Sequence, residues 1–168
     1  MSNSILKYYY FDTSIFIRIH RFYPIQKLWD ELELLVDSGS LLSHIFVYNE
    51  LKPNTTNPDD LIKWAKRHKS IFKNITRRQT EIVEEIVKKF PSLIDYNKEI
   101  DDADPWIIAL AKEESEKPRL FSEQYIVVST EKSAGTRIPN ACNYLKVPHM
   151  DFFEFIDERG YELELKDI

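Results

Sequence analysis

The stretch Tyr8–Ser14, which reads YYYFDTS, decides how the chain is expected to fold. Four aromatic residues in a row favour a β-strand, and an apolar strand of this kind is normally interior to a sheet. Asp12 follows the run directly, so it is expected at the carboxyl end of the strand. In open α/β sheets, ligands bind at that edge because the loops there gather around a crevice. Asp12 is therefore the first candidate functional residue. Further acids at the same edge would strengthen the case for a functional site there.

The composition is that of an ordinary globular domain. Of 168 residues, 43% are hydrophobic and 30% are charged, which provides for a core without disulfides or a structural metal. Three glycines are too few for a glycine-rich phosphate loop or a turn-rich all-β fold. Cys142 is the only cysteine, which excludes a disulfide framework and a thiolate metal site, and we expect it to be a buried apolar group.

The amino terminus shows no targeting signal. Residues 1–4 contain no basic region followed by an apolar core, as a signal peptide would. No apolar run reaches the length of a membrane span. We therefore expect a cytoplasmic protein that does not contact a membrane.

The net charge of −5 argues against a simple nucleic-acid binder, which is usually basic. One segment, Leu61–Thr80, nevertheless carries several basic residues and no acid. Such a run is usually a solvated helix surface, but beside an acidic centre it would suit contacts to phosphates. The basic residues are Lys63, Lys66, Arg67, Lys69, Lys73, Arg77 and Arg78.

The chain alternates predicted strands with predicted helices. The strands are Tyr8–Phe11, Leu41–Ser43, Tyr125–Val128 and Val147–His149. This alternation favours a parallel sheet with right-handed crossovers. The chain shows no internal repeat and no linker that would divide it into two domains.

The predicted helices are marked by apolar spacing and by caps. Ser43, Asp59 and Asp151 have the residue types of helix caps, and Thr76 with Gln79 has the form of a capping box. Residues 59–90 form a helical insertion between the second and third strands, which would cover the crevice. The helices are expected over residues 25–36, 45–51, 59–75, 76–90, 105–111, 139–145 and 152–159.

Four carboxylates from four elements are expected at one edge of the sheet. Asp12 and Glu131 follow strands, Glu50 lies one helix after the second strand, and Asp104 begins a helix. Clustered carboxylates repel one another unless protons or a cation compensate them. Oxygen-only ligands select Mg²⁺ or Mn²⁺, and two such ions about 4 Å apart can cleave a phosphodiester. Taken singly, Asp104 could be a helix cap, Glu50 a surface residue and Glu131 a turn residue.

Four motifs occur in the order of the PIN-domain family: Tyr10–Ser14, Val47–Leu51, Asp104–Ala111 and Val127–Glu131. The chain resembles this family over nearly its whole length. It is most similar to an uncharacterised PIN-like branch with an Asp-Pro-Trp helix and the segment Ile138–Cys142. The resemblance implies one PIN-like nuclease domain over residues 1–168, a three-layer α/β/α sandwich with a short parallel, Rossmann-like central sheet.

The resemblance also implies an activity and partners. Members are commonly Mg²⁺- or Mn²⁺-dependent ribonucleases that use one or two ions, often as the toxin of a type II toxin–antitoxin pair. The expected substrate is therefore RNA. The expected protein partner is an antitoxin, and a homodimer is a further expectation.

By position, Asp12, Glu50 and Asp104 correspond to the family's core metal-binding acids, and Glu131 to its fourth acid. Many members have aspartate in that fourth place, so the longer Glu131 would act through water or on a second ion.

Several neighbouring residues are candidates for substrate or metal contacts. Ser14 matches a small polar position that binds the carboxylate, a metal-bound water or phosphate, and Thr130 is similar. Arg18 and Lys132 are candidate phosphate contacts, as is Arg21. Asp101 and Asp102 suit a helix start, and Asp102 is also a candidate for the metal shell. His20, His44, His68 and His149 show no ligand spacing and are expected to be structural or exposed.

Two other functions compete with a nuclease. A non-catalytic PIN-like module that binds RNA or a protein would account for the acidic total charge and for Glu131. Phosphatase chemistry through an aspartyl intermediate would use Asp12, but the second acid that such enzymes place two residues later is Ser14 here.

Overall fold

The aromatic strand lies in the middle of the sheet. The computed structural model describes residues 4–22, 25–53, 55–94, 97, 102–131 and 137–160. Its strands are β1 (Leu6–Phe11), β2 (Leu41–His44), β3 (Phe72–Lys73), β4 (Glu123–Ser129) and β5 (His149–Asp151). They are ordered β3-β2-β1-β4-β5, and every pair is parallel. The predicted parallel sheet with the aromatic run at its centre is confirmed.

Helices cover both faces of the sheet, as expected for a three-layer α/β/α sandwich. Successive β1 side chains point to opposite faces, so Tyr9 and Phe11 belong to one core and Tyr10 to the other. The first core is covered by α1 (Thr13–Phe22), α2 (Gln26–Asp37), α3 (Ile45–Glu50), α4 (Asp60–Arg67) and α8 (Phe152–Glu158). The second is covered by α5 (Arg77–Lys89), α6 (Asp104–Glu116) and α7 (Arg137–Leu145). Short 3-10 turns lie at Lys69–Ile71 and Pro91–Leu93.

Three of the predicted helix caps are present. Asp59, Thr76 and Asp151 each accept a hydrogen bond from the backbone N–H three residues later, at 2.9, 3.1 and 2.9 Å. These bonds satisfy donors that the first turn of a helix leaves without partners. The starts of α4, α5 and α8 were therefore predictable from local sequence.

The predicted cap at Ser43 is wrong. The cap of α3 is His44, whose Nδ1 accepts from the N–H of Phe46 at 3.1 Å. Ser43 is fully buried, and its hydroxyl donates to the carbonyl of Phe11 at 2.7 Å. The serine thus ties β2 to the end of β1, because the strand continues one residue further than predicted.

The segment 59–90 is not wholly helical. The helix predicted to continue through Ile75 ends at Arg67, and Phe72–Lys73 forms β3 on the edge of the sheet. The ring of Phe72 packs 5.2 Å from Tyr48 and 5.9 Å from Phe16. Apolar spacing alone did not distinguish this buried edge strand from another helical turn. The sheet consequently has five strands among the described residues instead of the four predicted.

The last strand begins two residues later than predicted, at His149 instead of Val147. Val147 closes the end of α7, since its N–H donates to the carbonyl of Cys142 at 2.9 Å. Lys146 before it has a positive φ of 59°, a conformation that reverses the chain after a helix. The turn therefore extends over Val147 and displaces the strand.

Among the described residues, no helix is long and apolar enough to cross a lipid bilayer.

The contact between α8 and β1 provides a test of the core. Phe155 is fully buried, and its ring meets Tyr9 and Phe11 edge-on, each at 5.1 Å. We expect Phe155→Ala to lower the free energy of unfolding by about 3–5 kcal/mol, because the cavity would adjoin the central strand. Phe153 on the same helix is 51% exposed, so Phe153→Ala should cost about 0.5 kcal/mol or less. Urea denaturation of both variants checks this, and equal losses would contradict the packing.

Candidate active site

The ends of β1 and β4 are joined at the carboxyl edge of the sheet. The N–H of Asp12 donates to the carbonyl of Val128 at 3.2 Å, and the N–H of Thr130 donates to Ser14 Oγ at 3.2 Å. These contacts bring the segment after β1 against the segment that leads to Glu131. The sheet order therefore places the first and fourth predicted acids at neighbouring strand ends.

Asp12 is the most buried of the four acids, with 3% of its surface exposed. Its Oδ1 accepts from Ser14 Oγ at 2.6 Å and from the N–H of Ile15 at 3.2 Å. Burial, with smaller contributions from the charges of Asp104 and Glu131, raises the pKa of Asp12 to about 8, although the two hydrogen bonds oppose the rise. Asp12 is thus a carboxyl group that carries its charge at a cost.

Glu50 bridges the starts of two helices. Its Oε2 accepts from the hydroxyl of Thr13 at the start of α1, and its Oε1 accepts from the N–H of Ala103, just before α6, at 2.9 Å. Both carboxylate oxygens are therefore engaged. Its position in the sequence would allow Glu50 to be a surface residue. In the structure it is half-buried and holds α1 and α6 together.

Asp104 is the first residue of α6, and it is not the cap of that helix. The cap position is Ala103, whose side chain forms no hydrogen bond there. Burial raises the pKa of Asp104 to about 6, with contributions from the charges of Glu50, Glu131 and Asp102, and Arg137 opposes the rise. The charges of three other acids, Glu50, Glu131 and Asp102, therefore reach Asp104, and the charge of Asp104 in turn reaches Asp12.

Glu131 is held by the first turn of α7. Its Oε2 accepts from the N–H of Ile138 at 2.8 Å, and its own N–H donates to Ser129 Oγ at 3.2 Å. Ser129 in turn shares a hydrogen bond of 2.7 Å with His149 Nε2. The fourth acid is thus fixed at both its backbone and its carboxylate.

The four acids share one edge and influence one another, yet they do not form a ready-made metal site. Within the described ranges, no three His, Cys, Asp or Glu side chains are grouped closely enough to hold an ion. Asp12, Glu50 and Glu131 instead direct carboxylate oxygens at backbone N–H groups and hydroxyls. The donor set is nevertheless all oxygen, as Mg²⁺ and Mn²⁺ prefer. The raised pKa values of Asp12 and Asp104 mark charges that a cation would compensate.

Comparison with known proteins assigns the chain to a family. The model of a family described as "Domain of unknown function (DUF4411)" matches residues 9–163. The chain belongs to this family. A search of curated proteins finds no significant match.

Solved structures share the fold at low sequence identity. VapBC2 from Rickettsia felis, solved with a DNA fragment from its promoter, has a TM-score of 0.53 at 17% identity, over 86% of this chain and 98% of that one. FitAcB from Neisseria gonorrhoeae has a TM-score of 0.51 at 17% identity, over 84% and 96%. FitAB bound to an IR36 DNA fragment has a TM-score of 0.50 at 17% identity, over 85% and 94%. These structures share the α/β fold of the chain.

Of the residues predicted to contact substrate or metal, some lie beside the acids, one packs against an aromatic ring, and one, Lys132, is outside the described residues. Ser14 binds the carboxylate of Asp12, and Thr130 binds Ser14 through its backbone. Arg18 is half-buried with its guanidinium 6.0 Å from the centre of the Phe152 ring. Lys132 and Asp101 lie outside the described residues.

The seven basic residues of the 61–80 segment are all exposed, but they do not form one helix surface. They are divided among α4, the first 3-10 turn, β3 and α5. Arg78 makes two hydrogen bonds to Glu116, at 2.9 and 2.8 Å, and an ion pair with Glu81 at 3.0 Å. The basic face is therefore smaller than the sequence suggests.

The histidines have structural partners, although Nδ1 of His149 is buried without a hydrogen-bond partner. Burial lowers the pKa of His44 and of His149 to about 4, so both are neutral at pH 7. His44 Nε2 lies 2.9 Å from the side-chain oxygen of Gln79, and His68 and His20 lie beside acids that are not site residues. Cys142 is fully buried, as expected for an apolar group.

Sequence reasoning missed three groups that hold the acids. Thr13 binds Glu50, the Ser129–His149 pair supports Glu131, and Arg137 offsets the charge around Asp104. Thr13 had a visible signal, because it follows Asp12 and begins a helix. Arg137 and His149 had none, since each is brought to the site only by tertiary structure.

The raised pKa values predict how the stability of the metal-free protein depends on pH. Between its ordinary value of 3.8 and about 8, folded Asp12 keeps a proton that the unfolded chain has released. The free energy of unfolding therefore falls as the pH rises through this range, by up to about 1.4 kcal/mol per pH unit. Asp12→Asn should flatten the profile, because asparagine does not titrate.

Urea denaturation in the presence of a chelator, at several pH values from about 5 to about 8, measures this effect. Asp37→Asn, a change at an exposed aspartate at the end of α2, serves as the matched control. Parallel profiles for the wild type and Asp12→Asn would show that Asp12 ionises normally.

Proposed function

We propose that the protein is an endoribonuclease that depends on Mg²⁺ or Mn²⁺ and hydrolyses phosphodiester bonds of RNA. The observation that supports this most directly is the placement of four carboxylates, from four separate elements, at the carboxyl edge of the sheet. Two of them, Asp12 and Asp104, have pKa values raised by burial and by their neighbours. Such an arrangement is costly for the fold and is typical of a site that uses the charges.

In this proposal Asp12, Glu50 and Asp104 hold the ion, and Glu131 acts through water or on a second ion. A bound ion would supply an activated water and compensate the charge that develops on the phosphate. The chain's own residues set the carboxylates in place. Ser14 and the N–H of Ile15 orient Asp12, and Thr13 orients Glu50. Hydrogen-bonded oxygens of Asp12 and Glu50 would exchange these partners for the ion.

The phosphates of the RNA backbone would contact the basic residues of segment 61–80 that are exposed and form no ion pair with another described residue. Lys63, Lys66 and Arg67 on α4 are exposed and form no ion pair with another described residue. Arg78 is excluded from this role, since its guanidinium is already held by Glu116 and Glu81. The phosphate contacts are therefore assigned to α4.

We further propose a toxin role with an antitoxin as protein partner. The resemblance to PIN domains implies this role. Two of the similar structures, VapBC2 and FitAB, were solved bound to DNA fragments, and they share the fold over most of this chain. The PIN-like domain would span residues 1–168, and a homodimer is compatible with the proposal.

A non-catalytic module that binds RNA or a protein is the second candidate. It is favoured by the hydrogen bonds that occupy Asp12, Glu50 and Glu131, and by the lack of a close group of three ligands among the described side chains. The two candidates differ in one property, because the module has no need of a divalent ion.

Cleavage by the Asp12→Asn variant tests the nuclease proposal. The side chains have the same shape, and the amide oxygen can still accept from Ser14 and Ile15, so the fold should be kept. We expect Mn²⁺-dependent cleavage of single-stranded RNA to fall by at least about a hundredfold, because a neutral amide is a poor ligand for a hard cation.

The matched control for this assay is Asp37→Asn, which removes one carboxylate far from the site along the chain and should cleave at the wild-type rate. A purified Asp12→Asn protein that cleaves RNA as fast as the wild type would refute the proposal. Circular dichroism of both variants verifies that they are folded.

A further inference from the structure

A cavity of about 380 Å³ lies between the sheet and the pair α5 and α6. It is separate from the candidate active site, since none of the four acids lines it. Its floor is formed by tyrosines of β1 and β4, and its walls by the start of α5 and the second half of α6. The volume is within the range of small-molecule sites, roughly 300–1,000 Å³.

Tyrosine rings form the apolar part of the lining. The rings of Tyr8 and Tyr125 are stacked at 5.4 Å with an angle of 10° between their planes, and Tyr10 lies 6.2 Å from Tyr125. Tyr10 is only 1% exposed, and its hydroxyl forms no hydrogen bond with the described part of the chain. Among the described residues, the buried side-chain atom without a hydrogen-bond partner is His149 Nδ1 and not the Tyr10 hydroxyl. The Tyr10 hydroxyl is therefore not fully enclosed, and its residue lines the cavity.

Carboxylates form the polar part of the lining. Glu113 on α6 is 9% exposed and accepts from the hydroxyl of Thr76, and Glu123 at the start of β4 accepts from the hydroxyl of Tyr125. Neither Glu113 nor Glu123 forms an ion pair with any described residue. Glu114, by contrast, is paired with Lys117 at 2.6 Å. The cavity thus contains two carboxylates, from two layers of the fold, that form no ion pair with the described residues. The nearest arginine to Glu123 along the chain, Arg119, donates to its backbone carbonyl at 2.6 Å and lies over the ring of Tyr125.

We propose that this cavity binds a small organic cation of the diamine or polyamine class. Ammonium groups would pair with Glu113 and Glu123, and the methylene chain would lie against the apolar edges of the tyrosine rings that line the cavity. One ammonium hydrogen would satisfy the hydroxyl of Tyr10. The two carboxylates come from different elements, so a ligand with two separated charges fits better than a single compact ion.

The other cations at the cavity leave room for this ligand. Lys117 is occupied by Glu114, and Lys73 directs its ammonium at the carbonyl of Ser70 at 3.0 Å. An anionic ligand would meet Glu113 and Glu123 and be repelled. The lining therefore selects for positive charge, and the selection does not depend on the proposed nuclease site.

Titration calorimetry of the full chain with spermidine tests this inference. We expect a single site in the wild type. Glu113→Gln combined with Glu123→Gln should weaken binding by at least about tenfold, since glutamine keeps the shape and the acceptor but not the charge. Tyr10→Phe should weaken it about threefold or more, through loss of the one hydroxyl.

The matched control combines Glu84→Gln with Glu85→Gln, two exposed glutamates of α5 outside the cavity, and changes the net charge by the same amount. Equal weakening in this control would show that spermidine meets only the overall negative charge, and would overturn the inference. Absence of saturable binding to the wild type would overturn it as well. Binding of an arginine-containing tripeptide without binding of spermidine would overturn it in favour of a protein partner.

Discussion

The burial of Asp12 beside other carboxylates is the constraint on which the candidate site depends. The aromatic run of β1 favours the centre of the sheet, with neighbours on both sides. The residue that follows such a strand is carried into a buried position, where a charged carboxylate loses its hydration. An ordinary chain would place an apolar or a small polar residue there. Folding alone therefore does not explain an aspartate at this position. The charge of Asp104 nearby makes ionisation of Asp12 still less favourable.

Backbone N–H groups near helix starts compensate the charges of three of the acids in the same way. Asp12, Glu50 and Glu131 each accept from a backbone N–H at or just before the start of a helix, from Ile15, Ala103 and Ile138 respectively. The positive ends of α1, α6 and α7 thus converge on the acids, which is favourable for negative charge. The compensation is partial, because burial still raises the pKa values of Asp12 and Asp104. A cation would complete it, and this is the physical reason for preferring a metal-dependent enzyme to a binding module.

Local sequence was sufficient for the features that depend on neighbours along the chain. The central strand, the parallel direction of the strands and the caps at Asp59, Thr76 and Asp151 follow from propensity and spacing, and the structure has them. The predictions were wrong where tertiary contacts, and not neighbours along the chain, determine the local structure. Phe72 forms an edge strand because β2 offers a pairing partner, and His44 replaces Ser43 as a cap because Ser43 is used to hold Phe11. The four acids could be named from their order in the chain, but Arg137 and His149 could not, since only the fold brings them to the site.

The central claim is that these acids bind a divalent ion, and a crystal soaked in Mn²⁺ tests it most directly. Anomalous scattering locates manganese without reference to activity. The account predicts a peak between the carboxylates of Asp12 and Asp104, with Glu50 turned towards it and away from Thr13 or Ala103. No peak between Asp12 and Asp104 at a concentration that saturates the protein, with the hydrogen bonds of Asp12 and Glu50 unchanged, would contradict it.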